Sequence, residues 1–316
     1  MVADRLRRTS RLTDSGQRAA DSRPAIRFFV CCLLSAVCCL SAFALDVVLI
    51  GTGFPRPNPD HAGACTVIDL GDEWFVVDAG RGATMRIAAT SLDYAKMRAV
   101  FLTHFHSDHT AGLPDLFITS WQFGRKSRPL DLYGPIGTQK LAKAMTSFFA
   151  DDIHYRRDLL EKHPAAGATI HTHEIGEGVV FDDGKLKVTA FVEDHRPVVP
   201  ALGYRFESGG RTIVVSGDTR PNDNLLKFAR GADVLVMEAY LPEFLDKVDT
   251  PEVAARLKHY HTSAEEAGEI ATKAGVKTLL LTHLVGKDEE AFHSQAAKTF
   301  KGKIIVGRDL MRVAAE

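Results

Sequence analysis

Six consecutive residues, His104-Phe105-His106-Ser107-Asp108-His109, constrain this chain more than any other stretch. The apolar run Arg98-Ala99-Val100-Phe101-Leu102 precedes them, and a segment of helical character, Gly112 to Phe123, follows. Four side chains able to bind metal therefore crowd into the turn that ends an expected strand. Imidazole suits zinc, iron and nickel, and an added carboxylate suits a second, harder cation beside the first. A tight loop can turn His104 and His106 to one ion and Asp108 and His109 to its neighbour.

The rest of the chain reads as strands first in hairpins and later alternating with helices, in two halves. Asp46 to Gly51 reads as a buried strand, followed by Phe54-Pro55-Arg56-Pro57-Asn58-Pro59-Asp60-His61, whose three prolines exclude regular structure. Thr66 to Leu70 and Trp74 to Asp78 form an expected hairpin, as do Val179 to Phe181 and Lys185 to Val192. Thr138 to Phe149 reads as a helix, whereas Asp151 to Gly167 gives no clear signal and His171-Thr172-His173 reads as a polar strand. Ser263 with Glu266 three residues on is a capping box, and Gly275 a fitting stop for that helix. Strands at Thr212 to Ser216, Val234 to Glu238 and Thr278 to Leu281 follow in the second half. The tail reads as a helix to about Phe300, a strand at Ile304 to Val306 and a short exposed end.

His104-x-His106-x-Asp108-His109 resembles the metal motif of the metallo-β-lactamase superfamily. Leu49-Ile50-Gly51-Thr52-Gly53, Val76-Val77-Asp78-Ala79-Gly80, Ser216-Gly217-Asp218-Thr219 and Leu281-Thr282-His283 are similar to further signatures of its ribonuclease Z and arylsulfatase-like branch. His195, followed by prolines and then Gly203-Tyr204-Arg205, resembles the motif of the third histidine. The resemblance implies an α/β fold, the four-layer αβ/βα sandwich, over residues 45–316. It implies two Zn2+, with Mn2+ or Fe2+ as substitutes. His104, His106 and His195 would hold the first ion, and Asp108, His109 and His283 the second, with Asp218 between them. Two such ions sharing a water lower its pKa from about 15.7 toward about 7. Asp108 would orient the nucleophile, and Asp78 would brace the metal loop by hydrogen bonds. His261 resembles the histidine that protonates the leaving group, with Glu238 to hold it. Met237 stands where the branch has a partner histidine.

Residues 1–44 differ from the rest. Seven arginines precede the apolar run Phe28 to Leu40 and the small-x-small site Ala42-Phe43-Ala44, which together read as a secretory signal peptide or an N-terminal anchor. A periplasmic or secreted protein is therefore expected, with membrane contact only if this segment stays uncleaved. Four of the five cysteines lie in the leader, leaving Cys65 without an internal partner. Residues 45–316 hold 32 Lys+Arg against 37 Asp+Glu, a net charge of −5 that disfavours a polyanion partner. Only Glu207 to Arg211 joins two strands between which the resemblance implies a long tRNA-gripping arm. From these features the expected activity is an exported dinuclear zinc hydrolase acting on small sulfate or phosphate esters, with nucleic acid an unlikely partner and a homodimer allowed. The alternatives are a ribonuclease Z-type tRNA 3′ endonuclease, or a lactone or thioester hydrolase on the same metal core.

Overall fold

The computed structural model describes residues 45–316 apart from Asp249. The expected signal peptide, 1–44, lies outside the described residues. The chain lays down six strands, β1 (Asp46–Gly51), β2 (Cys65–Asp69), β3 (Trp74–Val77), β4 (Met97–Phe101), β5 (Leu130–Gly134) and β6 (Ile170–Glu174), as one sheet. A second sheet takes the next seven: β7 (Gly178–Asp182), β8 (Lys187–Glu193), β9 (Ala201–Ser208), β10 (Arg211–Val215), β11 (Val234–Tyr240), β12 (Thr278–Val285) and β13 (Lys303–Val306). A last strand, β14 (Met311–Ala314), returns to the first sheet and pairs with β1.

Each half begins as antiparallel meanders, β1-β2-β3 and β7-β8-β9-β10. Each ends as parallel crossovers, β3-β4-β5-β6 and β10-β11-β12-β13. The residues explain the switch. Parallel strands are covered on both faces and need continuous apolar runs. Val234-Leu235-Val236-Met237 and Leu279-Leu280-Leu281 are such runs, buried throughout.

Between the sheets, Leu49, Phe75 and Phe101 pack against Val188, Tyr204, Phe206 and Val236. Outside the first sheet, Val76 and Val100 meet Leu116 and Phe117 of helix Leu113–Ser120. Outside the second, Leu235 and Leu281 meet Ala267, Ile270 and Ala271 of helix Ala264–Ala274. This is the four-layer αβ/βα sandwich the sequence implied. Helix Ala264–Ala274 starts at the expected capping box and stops at Gly275, whose φ of 65° is a left-handed conformation that glycine adopts without a Cβ penalty.

Three local expectations need correction. The tail is not a free end: Val313 is buried, and Met311 to Ala314 form a ladder along β1. Its alternating pattern is too short to be read as a strand without knowing that a bare sheet edge awaits it. The unreadable stretch after Phe149 contains a short helix, Ala150–His154. Helices Pro242–Val248 and Pro251–Tyr260 were not anticipated, although Thr250 caps the second through its hydroxyl and Pro251 opens it.

Candidate metal centre and active site

Strands of both sheets end at one cleft, and each presents a ligand-type side chain there. His104 and His106 follow β4, and Asp108 and His109 sit in the helical turn Ser107–Thr110. His195 follows β8, Asp218 follows β10, and His283 lies on β12 beside a register shift against β11. Two hydrogen bonds fasten the sheets at this place. The backbone N–H of Leu202 donates to the carbonyl of Thr103 at 2.9 Å, and the Tyr204 hydroxyl donates to the carbonyl of Leu102 at 2.6 Å.

The metal loop is held from below by Asp78-Ala79-Gly80. Asp78 accepts from the backbone N–H of Thr103 at 2.8 Å and from its hydroxyl at 2.7 Å, and its other contact is His109 Nδ1 at 2.7 Å. Ala79 donates to the carbonyl of His109, and Gly112 donates to the carbonyl of Ala79, both at 2.8 Å. A side chain at Gly80 would collide with the Asp108 carbonyl, 2.1 Å from the place of its Cβ, so only glycine lets the two segments approach. Asp78 and His283 both carry positive φ, 58° and 45°, a strained choice for residues with side chains and one that aims them into the site.

The ring nitrogens of His104 and His195 turned away from the cleft are occupied, whereas His283 Nδ1 is buried without a hydrogen-bond partner. His104 Nδ1 lies 2.9 Å from the Thr103 hydroxyl, and His195 Nδ1 lies 3.1 Å from the Tyr260 carbonyl. The nitrogens turned inward converge: His104 Nε2 is 2.9 Å from His106 Nδ1, which is 3.4 Å from His195 Nε2. Donor atoms of His104, His106, His195 and Asp218 form one group within 4.8 Å of one another, and those of Asp108, His109 and His283 form a second. Asp218 also reaches toward the second group, 3.3 Å from His109 Nε2 and 3.5 Å from His283 Nε2.

These residues fit two metal ions. His109 Nε2 and Asp218 Oδ1 are buried and, although 3.3 Å apart, form no well-aligned hydrogen bond with each other or any other group, a costly condition that cations would relieve. Burial holds His104, His106 and His195 below the usual imidazole pKa, which favours the neutral ring that ligates metal. Burial presses most on His109 and His283 too, but the surrounding carboxylates together outweigh it and raise both, Asp218 with Asp78 at His109 and Asp218 with Asp108 at His283. Asp218 itself is held well below the usual carboxylate range against its burial, chiefly by the charges of His283 and His109.

Beside the ligands, His261 Nδ1 lies 2.7 Å from Glu238 Oε2, both side chains buried. The Thr219 backbone N–H donates to the other Glu238 oxygen at 2.6 Å. Burial lowers the His261 pKa, and raises that of Glu238. His261 occupies the junction between helices Pro251–Tyr260 and Ala264–Ala274, its ring 5.0 Å from that of His195. A cavity of about 210 Å3 opens against His261 and His283, with Phe54, Tyr240, Phe244 and Leu257 among its walls. This cavity was not legible in the sequence, because much of its wall comes from an irregular loop and from the unanticipated helices. His61 stays outside the ligand group, 2.8 Å from the Thr52 hydroxyl.

A Beta-lactamase superfamily domain model matches residues 73–284. Ribonuclease Z of Mycobacterium bovis is 40% identical over 279 residues, covering 85% of this chain and 98% of the relative. The chain belongs to the ribonuclease Z family, within the β-lactamase superfamily. Among solved structures, the metallo-beta-lactamase fold protein YhfI from Bacillus subtilis superposes with a TM-score of 0.67 at 22% identity, covering 86% of this chain and 99% of that one. Human tRNase Z, short form, superposes with a TM-score of 0.64 at 23% identity, covering 86% and 99%. These two likenesses speak for the fold alone.

Family membership makes the chain a metal-dependent hydrolase and overturns two expectations. The exported sulfate or phosphate ester hydrolase reading gives way to the ribonuclease Z alternative. The reading of nucleic acid as an unlikely partner falls with it, since the relatives are named for RNA cleavage. The missing arm misled because a relative matched across 98% of its own length has no long arm on its side of the match either. Net charge misled because it averages a whole surface, whereas phosphate contact is local.

Proposed function

We propose that this chain is a metal-dependent endonuclease that cleaves precursor tRNA beside its 3′ end. The observation that carries the reading is the 40% identity to a ribonuclease Z across 98% of that protein. The bond cut is a phosphodiester. His104, His106 and His195 would hold one divalent cation, and Asp108, His109 and His283 the other, with Asp218 reaching both; zinc is the first choice for so many imidazoles. When bound, such ions supply a nucleophilic water usable near neutral pH and offset the charge that builds at phosphorus.

The chain's own residues do the rest. Asp78 and Thr103 fix the ligand rings before substrate arrives. Asp108 is placed to orient the attacking water. Glu238 holds His261 by Nδ1, which leaves Nε2 to give a proton to the leaving oxygen. Lowering the imidazole pKa by burial makes the protonated ring a readier donor.

The test is zinc-loaded protein from Leu45 onward with a precursor tRNA carrying a 3′ trailer. A single cut beside the acceptor stem is expected, and protein holding two zinc ions that leaves the precursor whole would sink the reading. The proposal also requires a cytosolic pool of the protein. Finding it wholly in the periplasm by cell fractionation would remove the enzyme from its substrate.

A further inference from the structure

The cavity against His261 has a lining that the metal chemistry does not account for. Its walls are rings and aliphatic chains. Phe54 and Phe244 meet edge to face, centroids 6.2 Å apart, and Tyr240 and Leu257 complete the apolar surface. The one lysine or arginine on its lining is Arg56, exposed at the rim and paired with no carboxylate among the described residues. At about 210 Å3 the space is smaller than the roughly 300–1,000 Å3 of drug-sized sites, so it suits a single ring system.

The walls are held in place. Arg81 donates to the Pro55 carbonyl at 2.8 Å, and Gly53 donates to the Ala62 carbonyl at 2.8 Å, which together brace the loop carrying Phe54 and Arg56. Tyr240, Leu245, Ala254 and Val285 form a small buried cluster under Phe54 and Phe244. An aromatic floor with one guanidinium at its edge matches a flat, weakly polar ring attached to an anion. Two of the residues lining the cavity, His261 and His283, belong to the reaction centre itself, so the ring must sit next to the bond being cut.

We infer that this cavity receives one nucleobase flanking the scissile phosphate, against Phe54, Tyr240 and Phe244, with Arg56 toward the backbone phosphate; the assignment rests on the endonuclease reading above. Every base has a π-face, so such a pocket positions the strand with little sequence preference.

Precursor tRNAs with a single abasic ribose, placed either just 5′ or just 3′ of the cut, test this with the zinc enzyme. One base–aromatic stack is worth about 1–3 kcal/mol, so base loss at one of the two positions is expected to lower kcat/KM about 5- to 150-fold, mainly through KM. In Phe244→Leu and Phe54→Leu the intact precursor already shows that loss, and removing the base adds nothing. Phe244→Tyr, which keeps a ring, retains the native sensitivity. If intact precursor is cut but base loss matters at neither position, or matters equally in the Leu variants, the pocket assignment is overturned and the endonuclease reading stands. If no precursor is cut, both fall. Should a Leu variant fail to fold by circular dichroism, the abasic comparison on native enzyme still decides.

Discussion

On one side of the cleft, ligand side chains leave the ends of strands, and the ring nitrogens of His104, His109 and His195 that face away are engaged by Thr103, Asp78 and the Tyr260 carbonyl. On the other side, Phe54 and Arg56 come from a loop with three prolines, and Phe244 and Leu257 from two helices inserted between β11 and β12. The first side is fixed by the sheets and can hardly vary without scattering the ligand groups. The second is hung on connecting segments that can change length and composition while the sheets stay put. A shared chemistry with variable choice of substrate follows from that division, and so does the error of judging the substrate from an absent arm.

Breaking the strand-end side should have the largest effect. Asp218→Ala removes the one carboxylate among the described residues that reaches both ligand groups. Bound zinc should fall below two per chain by atomic absorption, with an activity loss beyond the about 10–100-fold typical of residues that only orient ligands. Retention of both ions would show that the two groups do not depend on Asp218.

Next comes the residue at the border of the two sides. His261→Ala should cut kcat by about 10²–10⁴ while zinc content stays at the native value, because His261 belongs to neither ligand group. A parallel loss of zinc would instead make it part of the cradle. Asp78→Asn keeps shape but weakens the hold on His109 and Thr103. It should cost about 10–100-fold in zinc affinity, read by competition with a chelating dye, and a native value would break the account of how the rings are aimed.

The smallest effect sharpens the comparison through stability alone. Ser263→Ala removes the cap of helix Ala264–Ala274 one residue past Thr262, and should lower stability by about 0.5–2 kcal/mol in denaturant titration. If kcat falls with it, the cap also sets the position of His261.

The strand-end side was legible in the sequence for a physical reason. A metal site needs a few residue types at the ends of apolar runs, and both the runs and the residues are local signals. Asp78 and the capping box at Ser263 could be placed for the same reason. The cavity could not, because Phe54 and Phe244 are distant in the chain and neither sits in a periodic pattern. Nor could β14, whose pairing depends on an edge exposed some 260 residues earlier. Charge and arm length were legible but pointed the wrong way, since neither measures what one patch of surface does.

Asp309, just before β14, accepts from the backbone N–H groups of Thr52 and Ala62, 2.9 and 2.8 Å away, and lies 3.1 Å from Arg86 Nε. It thus ties both ends of the loop that carries Phe54 and Arg56 to the segment that leads into β14. Every candidate ligand precedes Asp309 in the sequence, so the ligand set can be complete while this loop still lacks its clasp. Ordering of that loop therefore depends on the docking of the segment before β14, and not on the ligand-bearing strands alone.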